Sequence, residues 1–366
     1  MAAAPVNKSF RCGLAAFARR QTVPSIDVIV PCYNYGRFLR SCTDSVLGQL
    51  GCEVRILIID DASTDDSLAI ARSLAAEDSR IQVLSHEKNR GHIATYNEGI
   101  EWLSADYMLL LSSDDMLAPG AFARALALME ADLAIGFVYG TSVRFTAEAD
   151  VEAAAAGQMT WTDAAAPTVE AGIAFIRRFC ATPVNTVETA TAVVRTSLQK
   201  RVGGYRAELP HSGDMEMWLR LAARAKVGFV PTVQAFTRIH AKNMRHGYKA
   251  NRDLEDFHQR RIVFQTFFAA DGRDLSERLA LESLAYRSLA VELLWAAAGA
   301  FDEGAPTSLV VQLTGLARSI CPAITKTALW WKVFARRLVG SALVFRTARR
   351  LLSAPSRRLR GQLGSS

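Results

Sequence analysis

Strand-like and helix-like segments alternate over the first part of this chain, and that alternation limits its possible folds more than any other feature. Strand-like runs rich in β-branched residues are separated by segments with apolar residues at helical spacing. The predicted strands are Ile26–Val30, Val54–Ile59, Ile81–Leu84 and Tyr107–Leu111, and the predicted helices are Tyr35–Leu47, Asp65–Ala76 and Ile93–Leu103. Strands joined by helices form βαβ units, so we expect a largely parallel sheet buried on both faces.

Polar residues follow the ends of these strands. Asn34 comes after the first strand, Asp60 and Asp61 after the second, and Asp114 and Asp115 after the fourth. Ligands of such sheets bind beyond the carboxyl ends of the strands. These residues are therefore the first candidates for a functional site.

The rest of the chain is less regular in its middle and helical towards its end. We predict a loop over Ala147–Val169, and a capping box at Ser63–Asp66 that opens the second helix. Further strands are predicted at Thr189–Val194, Val227–Val230 and Val233–Ile239, and further helices at Asp214–Ala225, 252–269, 274–299, 307–319 and 325–352.

Composition indicates a globular protein with reduced thiols. Half of the 366 residues are hydrophobic, which is enough for a sizeable core, and the six cysteines form no CxxC pair or zinc-like group.

The apolar stretch near the N-terminus is too brief for a signal-peptide core. The longest uncharged run, Gly304–Ala317, is shorter than the roughly 18 residues that span a bilayer, so no transmembrane helix is predicted.

The positive charge is confined to the C-terminal tail. The net charge is +7, yet residues 306–366 hold eleven Lys or Arg and no Asp or Glu, so the remainder is slightly acidic. Cations interleaved with Trp330, Trp331 and Phe334 are typical of a helix that lies on an anionic membrane surface. Alternatively, the tail packs on the acidic body. Nucleic-acid binding is not expected, because the body has no base-reading module.

Each motif has both a functional interpretation and a purely structural one. Val30–Tyr35 could seat a flat base or be a strand end with turn residues, and Asp60–Asp61 could bind a base or ribose or form an Asx-turn and helix cap. Asp114–Asp115 could hold a hard divalent ion on a diphosphate or belong to an acidic helix start. Asp214 could be a simple N-cap, and His240 a lone surface histidine.

Taken together, the ordered set of motifs resembles the family 2 glycosyltransferases with the GT-A fold. The resemblance covers about Ser25–His240. Its residues are Pro31-x-Tyr33-Asn34, Asp60-Asp61-x-Ser63-x-Asp65, Lys88-Asn89-x-Gly91 with Ala94-x-x-Asn97, Ser113-Asp114-Asp115, Asp214-x-x-x-Trp218-Leu-Arg220 and Arg238-x-His240.

The resemblance implies a role for each of these positions. Tyr33 and Asp60 would hold the donor base with Pro31 and Asp61 close by, and Asn89 would lie beside the nucleotide. Asp114 would face the ribose. Asp115 would bind the metal, Asp214 would be the general base, and His240 would be a further metal or diphosphate contact. Two positions depart from the family: Ser112 replaces a common carboxylate, and Gly213 replaces the Glu that commonly precedes the catalytic Asp, which obscures the acceptor.

These observations predict an α/β protein of the GT-A type. We expect a Rossmann-like three-layer α/β/α sandwich with a mixed, mostly parallel sheet, followed by an all-helical C-terminal region. The expected division is an N-terminal extension (1–24), a GT-A glycosyltransferase domain (25–245), a helical extension (246–305) and a basic amphipathic tail (306–366).

The expected activity is inverting transfer of a sugar from a nucleotide diphosphate sugar to an acceptor hydroxyl, with Mn²⁺ or Mg²⁺. The acceptor would be a saccharide or lipid-linked saccharide in bacterial-type surface polysaccharide or glycolipid synthesis, on the cytoplasmic face of the membrane. A nucleotidyltransferase would carry a Gly-rich basic loop after the first strand, where this chain has Cys32-Tyr-Asn-Tyr-Gly-Arg37. Alternatively, the chain is a non-catalytic nucleotide-sugar-binding protein or scaffold. Turnover of the donor would distinguish the enzyme from this alternative.

Overall fold

The computed structural model describes residues 23–147, 166–240, 243 and 252–339. The strands are β1 (Ser25–Cys32), β2 (Glu53–Asp60), β3 (Ile81–Ser85), β4 (Tyr107–Leu110), β5 (Met116–Leu117), β6 (Ile135–Phe145), β7 (Thr168–Glu170), β8 (Val193–Arg195) and β9 (Lys226–Arg238). The helices are α1 (Gly36–Leu47), α2 (Ser67–Glu77), α3 (His92–Trp102), α4 (Ala121–Ala131), α5 (Gly172–Ala181), α6 (Thr196–Val202), α7 (Gly213–Ala222), α8 (Arg252–Ala269), α9 (Arg278–Asp302), α10 (Thr307–Ile320) and α11 (Ala328–Val339). Two 3₁₀ turns, Thr189–Thr191 and Pro322–Lys326, complete the set.

The nine strands of the described part of the chain form one mixed sheet. Its order is β3-β2-β1-β4-β8-β6-β9-β5, with β7 on β9. β3, β2, β1 and β4 run parallel, and so do β6 and β9, whereas β8, β5 and β7 run antiparallel to their neighbours. The mostly parallel sheet and the helical C-terminal region confirm the predicted fold.

Separate hydrophobic clusters cover the two faces of the sheet, because successive side chains of a strand point in opposite directions. Ile29 and Leu57 belong to one cluster, whereas Val28 and Ile58 belong to the other. The buried β1 also contains Asp27, whose carboxylate accepts from Arg55 Nε at 2.8 Å and from the Ser104 and Ala105 amides. The buried charge is thus paired, as a stable core requires.

The helices after β9 are continuous with this core. Phe264, Phe267 and Phe268 of α8 and Leu281 of α9 lie in the same cluster as the inner face of the sheet. Further along, α9, α10, the second 3₁₀ turn and α11 form a cluster of their own, which includes Leu293, Leu313, Ile324 and Val333. The apolar face of the described part of the tail therefore packs on α9.

Helix α9 has the length and apolar composition of a membrane span, the one such helix among the described residues. No spanning helix was expected from the sequence. The helix contacts α5, α8, α10 and α11, and its side chains at Leu289, Leu293 and Ala297 are fully buried.

Several local predictions were wrong. The predicted capping box does not form, because Asp66 is the N-cap without a side-chain bond and Ser63 Oγ instead accepts from the Asn34 amide at 3.0 Å. Strand β6 was missed, and the two predicted strands between Val227 and Ile239 are the single bulged strand β9.

Three further predictions were only partly right. The predicted strand from Thr189 begins as a 3₁₀ turn. The end of the predicted loop, Thr168–Val169, belongs to β7, while 148–165 lie outside the described residues. The predicted helix 325–352 begins at Ala328 after a 3₁₀ turn, and its part beyond Val339 also lies outside the description.

Candidate active site

The ends of β1 and β2 lie side by side and carry two strained turns. Cys32 pairs with Asp60 in the parallel register. Asn34 and Ala62, just beyond, have φ of +60°, a conformation that side chains other than glycine adopt rarely. Asn34 Oδ1 accepts from the Thr64 amide at 2.7 Å, so the two turns are tied together. Strain maintained in this way is typical of binding sites.

Tyr33 and Asp60 form the outer part of this edge. Tyr33 is 46% exposed, which leaves an aromatic face available at the strand end, while Pro31 is half-buried. Asp60 is buried; one carboxylate oxygen accepts from the Ser63 amide at 3.2 Å, and the other, Oδ1, has no hydrogen-bond partner. A buried carboxylate oxygen without a donor is costly, and a ring N–H would satisfy it.

Asp61 points elsewhere and organises the segment from His86 to Gly91. Its carboxylate accepts from the Arg90 amide at 2.7 Å and the Gly91 amide at 2.9 Å, and it lies 2.6 Å from His86 Nδ1. Asn89 Nδ2 donates to the Asp61 carbonyl at 3.2 Å. Asp61 and Asn89 thus join the end of β2 to the start of α3.

Asp114 and Asp115 lie between β4 and the end of β9. Asp114 Oδ2 is 3.0 Å from His240 Nε2 and accepts from Asn243 Nδ2 at 3.1 Å. Asp115 Oδ1 accepts from the Arg238 amide at 3.1 Å. Burial and the adjacent Asp114 charge raise the pKa of Asp115 well above its ordinary value.

A buried carboxylate pair of this kind can bind a divalent cation, because the cation offsets both burial and mutual repulsion. Within the described ranges, no group of three or more His, Cys, Asp or Glu side chains has the arrangement of a metal site. The donor set fits Mg²⁺ or Mn²⁺, which use one or two protein carboxylates and complete their coordination with phosphate oxygens and water.

Asp214 lies in the first turn of α7, but it does not cap the helix. The N-cap is Ser212, while Asp214 Oδ2 accepts from Thr189 Oγ1 at 3.0 Å. Burial raises the pKa of Asp214, and hydrogen bonds from Thr189 and Tyr205 oppose that rise. The simple N-cap interpretation is therefore wrong.

Glu188 connects the two acidic positions. Its charge raises the pKa of Asp115 and also that of Asp214, so both carboxylates lie near it. The 3₁₀ turn that follows Glu188 contacts β4, β5, β6 and β9. The turn thus links Asp214, which Thr189 binds, to β5, which begins directly after Asp115.

Sequence reasoning missed Glu188, Thr189, Tyr205, His86 and Asn243. Two signals were available: His86 directly follows β3, and Asn243 follows the candidate ligand His240 by three residues. The irregular segment around Glu188 has no local pattern that indicates a site.

Comparisons with known proteins agree with this geometry. Residues 27–183 match the model of the glycosyl transferase family 2. A chondroitin synthase of Escherichia coli is 32% identical over 125 residues, which is 34% of this chain and 18% of the synthase. The chain therefore matches about a fifth of the length of that relative.

Solved structures share the fold at low sequence identity. Residues 1–349 of S. aureus TarS, in complex with UDP, superpose with a TM-score of 0.58 and 15% identity over 81% of each chain. The mannosyltransferase PcManGT of Pyrobaculum calidifontis, in complex with GDP-Man and Mn²⁺, superposes with a TM-score of 0.51 and 16% identity, covering 94% of this chain and 92% of that one. The chain therefore has a GT-A fold, and its residues 27–183 resemble the glycosyl transferase family 2.

Proposed function

We propose that this protein is an inverting glycosyltransferase that moves a sugar from a nucleotide diphosphate sugar to an acceptor hydroxyl. The observation that carries this proposal is the 3₁₀ turn Thr189–Thr191, because Thr189 binds Asp214 and the turn contacts β5 directly after Asp115. A cation-binding carboxylate and a proton acceptor at one site are the two groups that such a transfer needs.

The donor nucleotide would bind at the ends of β1 and β2. The exposed Tyr33 offers a face for stacking, and the unsatisfied Asp60 Oδ1 accepts a ring N–H. Pro31 borders the same position, while Asp61 and Asn89 hold the neighbouring segment in place. The UDP bound to TarS, a protein of the same fold, supports a uridine nucleotide as the first donor to test.

The divalent cation would be held by Asp115, with Asp114 and His240 beside it. When bound, the cation stabilises the negative charge of the departing nucleoside diphosphate. Asp114 would face the ribose, and His240 would reach the cation or the diphosphate with the imidazole that now bonds Asp114. The Mn²⁺ and GDP-Man in PcManGT support this combination of ligands.

Asp214 would act as the general base. Its carboxylate takes the proton of the acceptor hydroxyl as that oxygen attacks the anomeric carbon from the face opposite the diphosphate, which inverts the centre. Burial raises the pKa of Asp214 and so makes it a stronger base than an exposed Asp, and general-base assistance typically contributes roughly 10²–10⁴-fold.

The acceptor would be a saccharide or lipid-linked saccharide on the cytoplasmic face of a membrane. A polysaccharide synthase among the relatives supports that class. Within the described tail, Arg318, Lys326 and Lys332 accompany the exposed Trp331 and no acidic residue occurs, which favours anionic lipid as the surface to which the protein binds.

A screen of nucleotide sugars with Mn²⁺ tests the proposed function, with release of nucleoside diphosphate as the signal. We expect turnover by the wild type that chelation abolishes, and none by Asp115→Ala. Asp274→Ala, at a side chain that is 87% exposed, is the matched control and should keep full activity.

Three results would contradict the proposal. Full activity of Asp115→Ala at saturating Mn²⁺ would remove Asp115 from the metal site. A donor that binds without turnover would favour the non-catalytic binding protein, and release of pyrophosphate from a nucleoside triphosphate would favour a nucleotidyltransferase.

A further inference from the structure

Two hydroxyl groups face the carboxylate of Asp214. Thr189 Oγ1 donates to Oδ2 at 3.0 Å, and the phenol hydroxyl of Tyr205 lies close enough to lower the pKa of the same carboxyl. Burial and the Asp214 charge raise the pKa of Tyr205 well above 10. The phenol therefore keeps its proton whenever Asp214 is ionised, and it remains a donor.

Tyr205 is fixed in turn by Asn97 of α3. Asn97 Oδ1 accepts from the Tyr205 amide at 2.6 Å, and Asn97 Nδ2 donates to the Tyr205 carbonyl at 2.9 Å. A side-chain amide that binds both polar groups of one residue determines where that residue lies and how it is oriented.

Two glycines allow Tyr205 to lie close to Asn97 and to the start of α7. A Cβ on Gly204 would lie 2.3 Å from Asn97 Oδ1, so any side chain there would displace the amide. A Cβ on Gly213 would lie 3.3 Å from Tyr205 Cδ1. Gly213, which stands where family 2 glycosyltransferases commonly have Glu, therefore leaves room for the Tyr205 ring.

Packing holds the ring from the other side. Tyr96, one residue before Asn97, meets the Tyr205 ring edge-on at a centroid distance of 5.3 Å. Tyr205 is 7% exposed, so its hydroxyl has little freedom to leave Asp214. The contacts form a continuous path from α3 through Tyr205 to α7.

We propose that Asn97, Tyr205 and Thr189 are positioning residues for Asp214. Asn97 fixes the main chain of Tyr205, and the two hydroxyls orient the carboxylate and favour its ionised form. The proposal rests on the role of Asp214 as the base, and it extends that role to three residues that act through it. A carboxylate has about four acceptor positions, so two hydroxyl donors leave room for the acceptor hydroxyl.

Titration of the Asp214 carboxyl in full-length protein tests this directly. Aspartate labelled with ¹³C at the side-chain carboxyl gives a signal that Asp214→Asn assigns by its disappearance. We expect Tyr205→Phe to move the titration midpoint upward, because a donor to the ionised form is lost. Tyr286→Phe, which removes a half-buried phenol whose charged neighbours are Glu282, Arg261 and Arg278, should leave the midpoint unchanged.

Steady-state kinetics provide a second readout. Tyr205→Phe should lower kcat roughly tenfold at pH 6 and less at pH 9, with the donor KM unchanged. Thr189→Val should shift the pH profile in the same direction, and Thr189→Ser, which keeps the hydroxyl, should restore it.

Asn97 is tested through a double-mutant cycle. Asn97→Ala should shift the midpoint in the wild-type background and add nothing in Tyr205→Phe. Asn97→Asp, which keeps the acceptor but loses the donor, provides a variant of the same size. An unmoved midpoint in folded Tyr205→Phe, or an additive effect of Asn97, overturns the proposal.

The role of Asp214 as the base fails by a different result, namely an undiminished kcat in Asp214→Asn, and the proposed function fails if the wild type binds donor without turnover. The NMR titration still decides the positioning role in that case, because it does not depend on turnover.

Discussion

At the scale of single residues, neighbouring acids have opposite surroundings. The Asp61 carboxylate accepts from two amides and contacts the His86 ring, whereas Asp60, one residue earlier, has a buried oxygen without a donor. A saturated carboxylate supports its surroundings, and an unsatisfied one is available to a ligand. Adjacent identical residues are thus expected to differ in function.

Asp214→Asn should lower kcat by roughly 10²-fold or more and leave donor binding within a few-fold of wild type. The amide can still accept from Thr189 and Tyr205, but it cannot take a proton. Initial rates and nucleotide titration measure the two effects. A loss of thermal stability with kcat retained would show that the carboxylate is structural and that the base lies elsewhere.

Asp115→Asn should stabilise the metal-free protein at pH 7.5. The pKa of Asp115 is raised in the folded state, so the folded protein binds this proton more tightly than the unfolded chain does. The stability that this group contributes is therefore present at low pH and lost as pH rises through the folded pKa. The amide avoids that loss and should raise Tm by about 2 °C or more.

The same variant should lose the stabilisation by Mn²⁺ that wild type shows at pH 7.5. Thermal melts at pH 5 and 7.5, with and without Mn²⁺, measure both effects, and Asp274→Asn is the control. A lower Tm of the metal-free variant at pH 7.5 would contradict the assignment of Asp115 as a costly buried charge.

At the scale of elements, the segment between β3 and α3 is held by buried polar contacts. His86 is 4% exposed at its side chain and lies 2.6 Å from Asp61 Oδ1 and 2.9 Å from Glu98 Oε2. Glu98 also binds Arg90 at 2.6 Å. Because this segment leads into Gly91, where φ is +81°, its conformation depends on these contacts more than on helix propensity.

Asp61→Ala should therefore weaken donor binding by loosening this segment. We expect faster amide exchange at Arg90 and Gly91, whose N–H groups lose their acceptor, and a donor KM raised roughly tenfold. Asp65→Ala, which removes an acceptor of the Ser67 amide at the start of α2, is the control. A raised KM with unchanged exchange would show instead that Asp61 contacts the donor itself.

At the scale of the whole molecule, the sheet and the C-terminal helices share their cores. Phe264 and Leu281 lie in a cluster with Trp218 of α7, and α10 buries Val310, Leu313 and Ala317 in the cluster that it forms with α9. Burial of a side chain of the size of Val or Leu contributes roughly 1.5–3 kcal/mol to the stability of the fold. Removal of residues 306–366 would expose this cluster, so truncation is a poor test of the tail.

Point changes on the surface of α11 test the membrane hypothesis without opening the core. Trp331 is 58% exposed and Lys332 is exposed, whereas Val333 is buried. Trp331→Ala with Lys332→Gln should weaken binding to vesicles that contain phosphatidylglycerol by roughly tenfold.

Wild-type binding to these vesicles should decline in high salt without vanishing, because the apolar contribution is not screened. Leu50→Ala, at a side chain that is 79% exposed in the first half of the chain, should bind as wild type does. A wild type that stays unbound at low salt would contradict membrane association.

Local patterns in the sequence were enough to predict the elements that are encoded within a few positions of the chain. Apolar runs and helical spacing predicted β1 to β4 and the helices between them, because period and turn residues are encoded within a few positions. The same patterns placed Asp60, Asp61, Asp114 and Asp115 at strand ends, which the structure confirms.

Tertiary structure decided which of these side chains are already bound and which are available. Thr189 and Tyr205 meet Asp214, Arg90 meets Asp61, and Arg238 meets Asp115 across gaps of up to 123 residues. The bulged strand β9 and the 3₁₀ turn at Thr189 depend in the same way on neighbours distant in the chain. Such contacts leave no periodic trace in the sequence, since they follow from how the sheet brings separate strand ends together.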